Sequence, residues 1–135
     1  MIALIIGGYA WKEYHRANPD VSNLKTDYET TAQQLLGEFQ QDESSADKKY
    51  LGKIILVRGE LKLVEKDADG FYTVVIGESG DPSSIRCAMD SIHNSDAASL
   101  RVNSSIKMKG IVTGFNKDEL GLGSDIILTR SVVVR

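Results

Sequence analysis

The spacing of apolar positions along this chain changes twice, and each change marks a different kind of structure. Met1–Trp11 is almost wholly apolar, and Lys12-Glu-Tyr-His-Arg16 then turns polar. Ala17–Asn23 reads as a linker, with Pro19 stopping any helix that runs on from the apolar stretch. From Leu24 the apolar residues Leu24, Tyr28, Ala32, Leu35, Leu36 and Phe39 fall at helical spacing. This predicts a helix over Leu24–Gln41 that packs its stripe on the rest of the molecule. Asp42–Gly52 predicts a second, short helix with Asp42 as N-cap and Gly52 as the stop, burying Ala46 and Tyr50.

After Gly52 the period becomes two. The first predicted strand is Lys53–Glu65, with Ile55, Val57, Leu61 and Leu63 inward and Arg58, Glu60 and Lys62 outward. Lys66-Asp67-Ala68-Asp69-Gly70 is a hairpin turn. Further strands are expected over Phe71–Ile76, Ser84–Met89, Ser105–Phe115 and Asp125–Val134. Ser95–Leu100 is long enough for one or two helical turns before the fourth of them. Two of the runs share a pattern, a basic residue and a glycine at mid-strand (Arg58-Gly59 and Lys109-Gly110) followed by Lys-Asp at the end. Glycine inside a strand marks a bulge or a barrel corner. Gly59, Gly110 and Gly114 are therefore assigned structural roles, with Gly59 and Gly110 the points where two long strands coil. Five strands with a helical turn between the third and fourth match a Greek-key OB-fold barrel, mainly β with N-terminal helices. An SH3-like barrel is the alternative; it lacks that helix.

Charge changes the functional picture. The net charge is −3, and the imbalance lies in the N-terminal part. Residues 52–135 carry eleven Lys/Arg and eleven Asp/Glu, so the expected barrel is neutral. Nucleic-acid binders usually carry a basic excess or stripe. The single cysteine, Cys87, excludes an internal disulfide and reads as a buried strand residue.

The apolar N-terminus is too short to span a bilayer, which takes about 20 residues. Tyr9 and Trp11 followed by Lys12 have the order of an interfacial belt and then charge. The expectation is a partial membrane anchor over residues 1–16; the alternative is a hydrophobic end packing on a neighbour. Residues 17–23 would then be the linker, 24–51 a helical segment on the barrel, and 52–135 the barrel itself.

Catalytic and metal signals are weak. Asp67-x-Asp69-Gly70 sits between strands and is a turn rather than a calcium loop. Asp90-Ser91-Ile-His93 is a polar stretch after a strand, and His15 and His93 are too isolated for a metal site. Gly121-Leu-Gly123-Ser124 is not followed by a helix and so lacks a dipole end for phosphate.

Three stretches carry a family resemblance: Ala46-Asp-Lys-Lys-Tyr50-Leu-Gly-Lys53-Ile-Ile-Leu-Val57-Arg-Gly59, Ile85-Arg-Cys87-Ala-Met89, and Ile106-Lys-Met-Lys-Gly110-Ile-Val-Thr-Gly114. They resemble the tRNA-anticodon-binding-like OB-fold proteins, small bacterial chains often attached to membranes as lipoproteins. Met89 stands where that family commonly has an aromatic residue, and no lipoprotein cysteine is present near the start. The resemblance covers about Leu24 to Val134. It implies an OB-fold, with Tyr50, Gly59, Cys87, Gly110 and Gly114 in structural positions, and it is hardly specific for a ligand.

An OB face that binds single strands needs aromatics interleaved with Lys/Arg. The candidates are Arg58, Lys62, Tyr72, Arg86, Lys107, Lys109 and Phe115. Sparse aromatics and a neutral barrel favour a non-enzymatic, membrane-anchored module for a protein partner or envelope component, extracytoplasmic, with no cofactor. Oligonucleotide binding is the alternative.

Overall fold

The computed structural model describes residues 21–78, 80–117 and 123–134. The anchor expected over residues 1–16 and most of the linker lie outside them, as does most of the Gly121–Gly123 loop. Val21–Asn23 forms a 3-10 turn that buries Val21. β1 (Tyr28–Thr31) leads into α1 (Ala32–Gln41) and α2 (Glu43–Tyr50). β2 (Ile54–Lys66), β3 (Tyr72–Ile76) and β4 (Ser84–Met89) follow, then a 3-10 helix over Ser91–Ser99, β5 (Ser105–Asn116) and β6 (Asp125–Val134).

The neighbours run β2-β3-β4-β6-β5, and β5 pairs back to β2, closing a five-stranded barrel. The β4–β6 pair is parallel and the other barrel pairs are antiparallel. With a helix between the third and fourth barrel strands this is the OB arrangement, not the SH3-like one.

β2 is long because it serves two partners in succession. Ile54–Glu60 pairs with β5, and Leu61–Lys66 pairs with β3. Gly59 stands at the change. A β-carbon there would lie 2.4 Å from Cγ2 of Ile76 and 3.0 Å from Cβ of Ala32, so only glycine lets the strand approach. Gly110 plays the same part in β5, where a β-carbon would lie 2.6 Å from Ser131 Oγ. Gly114 differs: it sits at a register shift in β5, but a β-carbon would meet nothing within 4 Å.

Two expectations need correction. The first helix does not begin at Leu24. Tyr28–Thr31 adds a strand parallel to the first half of β2, from Tyr28 opposite Ile55 to Thr31 opposite Arg58. Asp27 fixes its entry, since its N–H donates to Ile54 O (2.7 Å) and its carboxylate accepts from Ile54 N–H (2.9 Å). An unpaired stretch of β2 edge and two adjacent β-branched threonines outweigh the helical spacing of Leu24 and Tyr28. The helix starts at Ala32 because Thr31 Oγ1 accepts from Gln34 N–H, and its stripe is Ala32, Leu35, Leu36 and Phe39. The second correction is Leu63. A register shift between Leu61 and Leu63 turns the strand, so Leu63 is outward and 39% exposed while Val64 packs on the core.

Other local expectations are met for stated reasons. Asp42 caps α2 through Ser45 N–H, and Gly52 follows it at φ 78°. Asp67 Oδ1 accepts from the N–H groups of Asp69 and Phe71, with Gly70 at φ 88°, which makes a closed turn. Asp90 caps the 3-10 helix by accepting from Ile92 N–H. The core joins Leu35, Leu36 and Phe39 of α1 to Ile55, Val57, Leu61, Val74, Ile76, Ile85, Cys87, Met108, Ile126 and Leu128 of the barrel. Among the described residues no helix is long and apolar enough to cross a membrane.

Candidate binding surfaces

Strand pairing places one row of side chains across the outside of the barrel. Leu63 stands opposite Val75, Val75 opposite Arg86, and Arg86 opposite Ile127. Val75 is covered although it lies outside the core cluster, with only 2% of its surface exposed. Arg86 is bound in an ion pair with Glu65. Lys62 Nζ donates to Asp81 O (2.5 Å) and Ser84 Oγ (2.8 Å), which ties β2 to the loop before β4. This row therefore holds aliphatic groups and cations that already have partners, and no aromatic ring.

The remaining candidates are spread over the molecule. Tyr72 is half-buried, its N–H donates to Asn94 Oδ1 (2.8 Å), and Lys66 Nζ lies 5.7 Å from its ring centroid. Phe115 stacks on Phe39 at 5.1 Å, and Phe39 stacks on Tyr50 at 5.9 Å. That stack seats α1 and α2 on β5. Lys109 shares the outer face with Lys107, since its neighbour Met108 points into the core, but it is only 8% exposed, and its ammonium donates to Leu24 O, so it pins the N-terminal segment. Arg58 and Lys107 are exposed and directly opposite each other on β2 and β5.

The family model for tRNA_anti-like proteins matches residues 2–125. The chain belongs to the tRNA_anti-like family. A Klebsiella pneumoniae structure named "putative nucleic acid-binding lipoprotein" is similar to this tRNA_anti-like chain at 20% identity and a TM-score of 0.61, covering 78% of this chain and 91% of that one. A Leishmania major protein named "putative aspartyl-tRNA synthetase" is similar at 11% identity and a TM-score of 0.50, covering 95% of this chain and 26% of that one. At these identities the likeness is one of fold. No curated protein matches the chain at a significant level.

The tRNA_anti-like motif residues sit where packing needs them. Tyr50 is 2% exposed and its hydroxyl donates to Glu38 Oε2 at 2.5 Å, while Lys49 Nζ donates to Glu38 Oε1 at 3.0 Å. Burial works to raise the Glu38 pKa, but the bonds from Tyr50 and Lys49 outweigh it and hold the carboxyl below its usual range. Burial, and then the bond to Glu38, push the Tyr50 phenol up. Cys87 is fully buried, and burial pushes its thiol up to about 12. The Asp90 carboxylate is used as a helix cap, and His93 Nδ1 lies 3.5 Å from Asp96 Oδ2, so the Asp90–His93 stretch builds local structure.

Pattern reading missed one residue, Arg101. It lies with Arg58 and Lys107 on a cleft of about 450 Å³ between the end of the 3-10 helix, β5 and the end of β6. Because it sits in a turn, strand alternation gave no face for it.

Proposed function

We propose that this chain is a non-enzymatic OB-fold binding module, held at a membrane by its N-terminal segment, that docks a protein or envelope component on the outer face of β2, β3, β4 and β6. The observation that carries this reading is the row Leu63–Val75–Arg86–Ile127. With Val75 covered, its solvent side is Leu63 and Ile127 beside a cation neutralised by Glu65, and it offers no ring for a base to stack on. Such a mixed, weakly charged face suits a polypeptide better than a polyanion. The lipoprotein name of the Klebsiella structure and the interfacial order Tyr9, Trp11, Lys12 support the tether.

The test is a photocrosslinking amino acid at Leu63 in the full-length protein, followed by membrane fractionation. The expected result is a discrete adduct in the membrane fraction that is absent when the crosslinker sits at Glu43 on α2. Protein recovered only in the soluble fraction, with no adduct from Leu63, rejects the proposal.

Single-stranded oligonucleotide binding is a second reading. It is favoured by the exposed Arg58–Lys107 pair and by the name of the Klebsiella protein. With no free stacking platform on the row, such binding would rest on backbone phosphates and fall steeply with salt. Titration of short oligo-dT into labelled protein decides it. Salt-sensitive amide shifts support this reading, and no shift at low salt and about 1 mM oligonucleotide removes it.

A further inference from the structure

Arg58 and Lys107 are cross-strand partners on the outside of the β2–β5 pair. Directly opposed residues in an antiparallel pair keep their β-carbons about 5 Å apart, and like charges there repel. Neither side chain has a hydrogen-bond or ion-pair partner among the described residues, whereas Lys62, Arg86 and Lys109 are all engaged. A third cation joins them. Arg101 opens a turn in which Ser104 N–H donates to Arg101 O (3.2 Å) and Asn103 takes φ 71°. The turn is held against β2 at two points, by Asn103 N–H to Leu61 O (2.8 Å) and Leu61 N–H to Ser104 O (2.9 Å).

Arg58, Arg101 and Lys107 line one cleft of about 450 Å³, and no carboxylate stands in its wall among the described residues. Val134, opposite Lys107 on β6, gives the cleft an apolar side on the same outer face. Glu60, opposite Ser105 on the same strand face, lines the neighbouring cleft, whose wall Arg58 and Ser105 share.

We infer that this cleft is a binding site for a small phosphate monoester, with the phosphate held by Arg58, Arg101 and Lys107 and an apolar body lying on Val134. An oxyanion between Arg58 and Lys107 relieves their repulsion, and a guanidinium matches two phosphate oxygens with two parallel N–H donors. The volume lies in the range of small-molecule sites, and three cations on a partly apolar cleft suit an amphipathic anion better than a bare ion. The site is separate from the Leu63–Ile127 row, so it stands or falls apart from the docking reading.

The experiment is an amide-shift titration of the full-length labelled protein with phenyl phosphate and, separately, inorganic phosphate. The expected result is saturable shifts at Arg58, Arg101, Ser105 and Lys107, with phenyl phosphate binding several-fold tighter. Arg58→Gln and Lys107→Gln should each weaken binding roughly tenfold, as expected for loss of one charge-assisted contact. Arg86→Gln should leave it unchanged. Both cleft variants should melt at or above the parent temperature, because each removes a like-charge contact. No shift at those amides at about 10 mM phenyl phosphate, or binding that survives the Arg58→Gln/Lys107→Gln double variant, overturns the inference. Oligo-dT displacing phenyl phosphate at far lower concentration also overturns it, in favour of a nucleic-acid strand.

Discussion

Gly59 approaches Ile76 so closely that a β-carbon at position 59 would stand 2.4 Å from Ile76 Cγ2. Ala32 closes the other side at 3.0 Å. Three elements meet there: β1 stops opposite Arg58, β3 begins to pair at Leu61, and α1 starts over the gap. Gly59→Val would force a branched side chain against the buried side chains of Ile76 and Ala32. The expected cost is about 3 kcal/mol or more, at the upper end of overpacking. Urea unfolding measures it, and a variant within experimental error of the parent would show that the strand does not need to bend there.

Glu38 links α1 to α2 by accepting from Tyr50 and Lys49, and its pKa is lowered in the folded state. A carboxyl of lowered pKa stabilises the fold above its unfolded pKa and loses that contribution as pH falls through its folded pKa. Stability should therefore be flat near neutrality and decline below the usual glutamate range. The group is partly exposed, so the contribution is about 0.5 kcal/mol. Glu38→Gln should flatten that acid limb in melts between about pH 3 and 7. An unchanged acid limb would show that the ion pair adds nothing.

Cys87 is fully buried, with its thiol pushed up to about 12. Only the thiolate reacts readily with disulfide reagents. At pH 8 the native protein should react with such a reagent slowly, at a rate set by unfolding, and the same protein in denaturant should react at once. Fast labelling of native protein, measured spectrophotometrically, would place Cys87 at the surface.

The barrel was readable because its signals are local. Alternation in Ile85, Cys87 and Met89, the turn chemistry of Asp67–Gly70 and the capping residues Asp42 and Gly52 each act within a few residues. The misread parts depend on distant partners. Tyr28–Thr31 is a strand because β2 leaves an edge open more than twenty residues later in the chain. Leu63 changed face at a bulge, which shifts period-two counting by one and carries no strong residue signature, while Lys109 kept its outer face and is bound there to Leu24 O. Candidate contacts suffered most, since sequence counts a cation without showing whether it is already bound. Arg86 and Lys109 have partners inside the fold, while Arg58 and Lys107 meet only through strand pairing, and Arg101 joins them through a turn fixed to Leu61.

Lys62 separates a structural cation from a ligand contact. Its ammonium donates to Asp81 O and Ser84 Oγ, and its stem covers Gly77, where a β-carbon would lie 3.1 Å from Lys62 Cδ. The side chain thus fastens the 77–83 loop to β2. Lys62→Met keeps the stem and removes both bonds. Charge-assisted bonds contribute about 1.5–3 kcal/mol each when buried, and partial exposure lowers that, so a loss of about 1–2 kcal/mol is expected. Amide exchange should quicken at Asp81 and Ser83 in the same variant, while phenyl phosphate binding at Arg58 and Lys107 stays as it was. A variant with parent stability but weakened phosphate or oligonucleotide binding would reverse the assignment and make Lys62 part of a ligand surface that extends across β2.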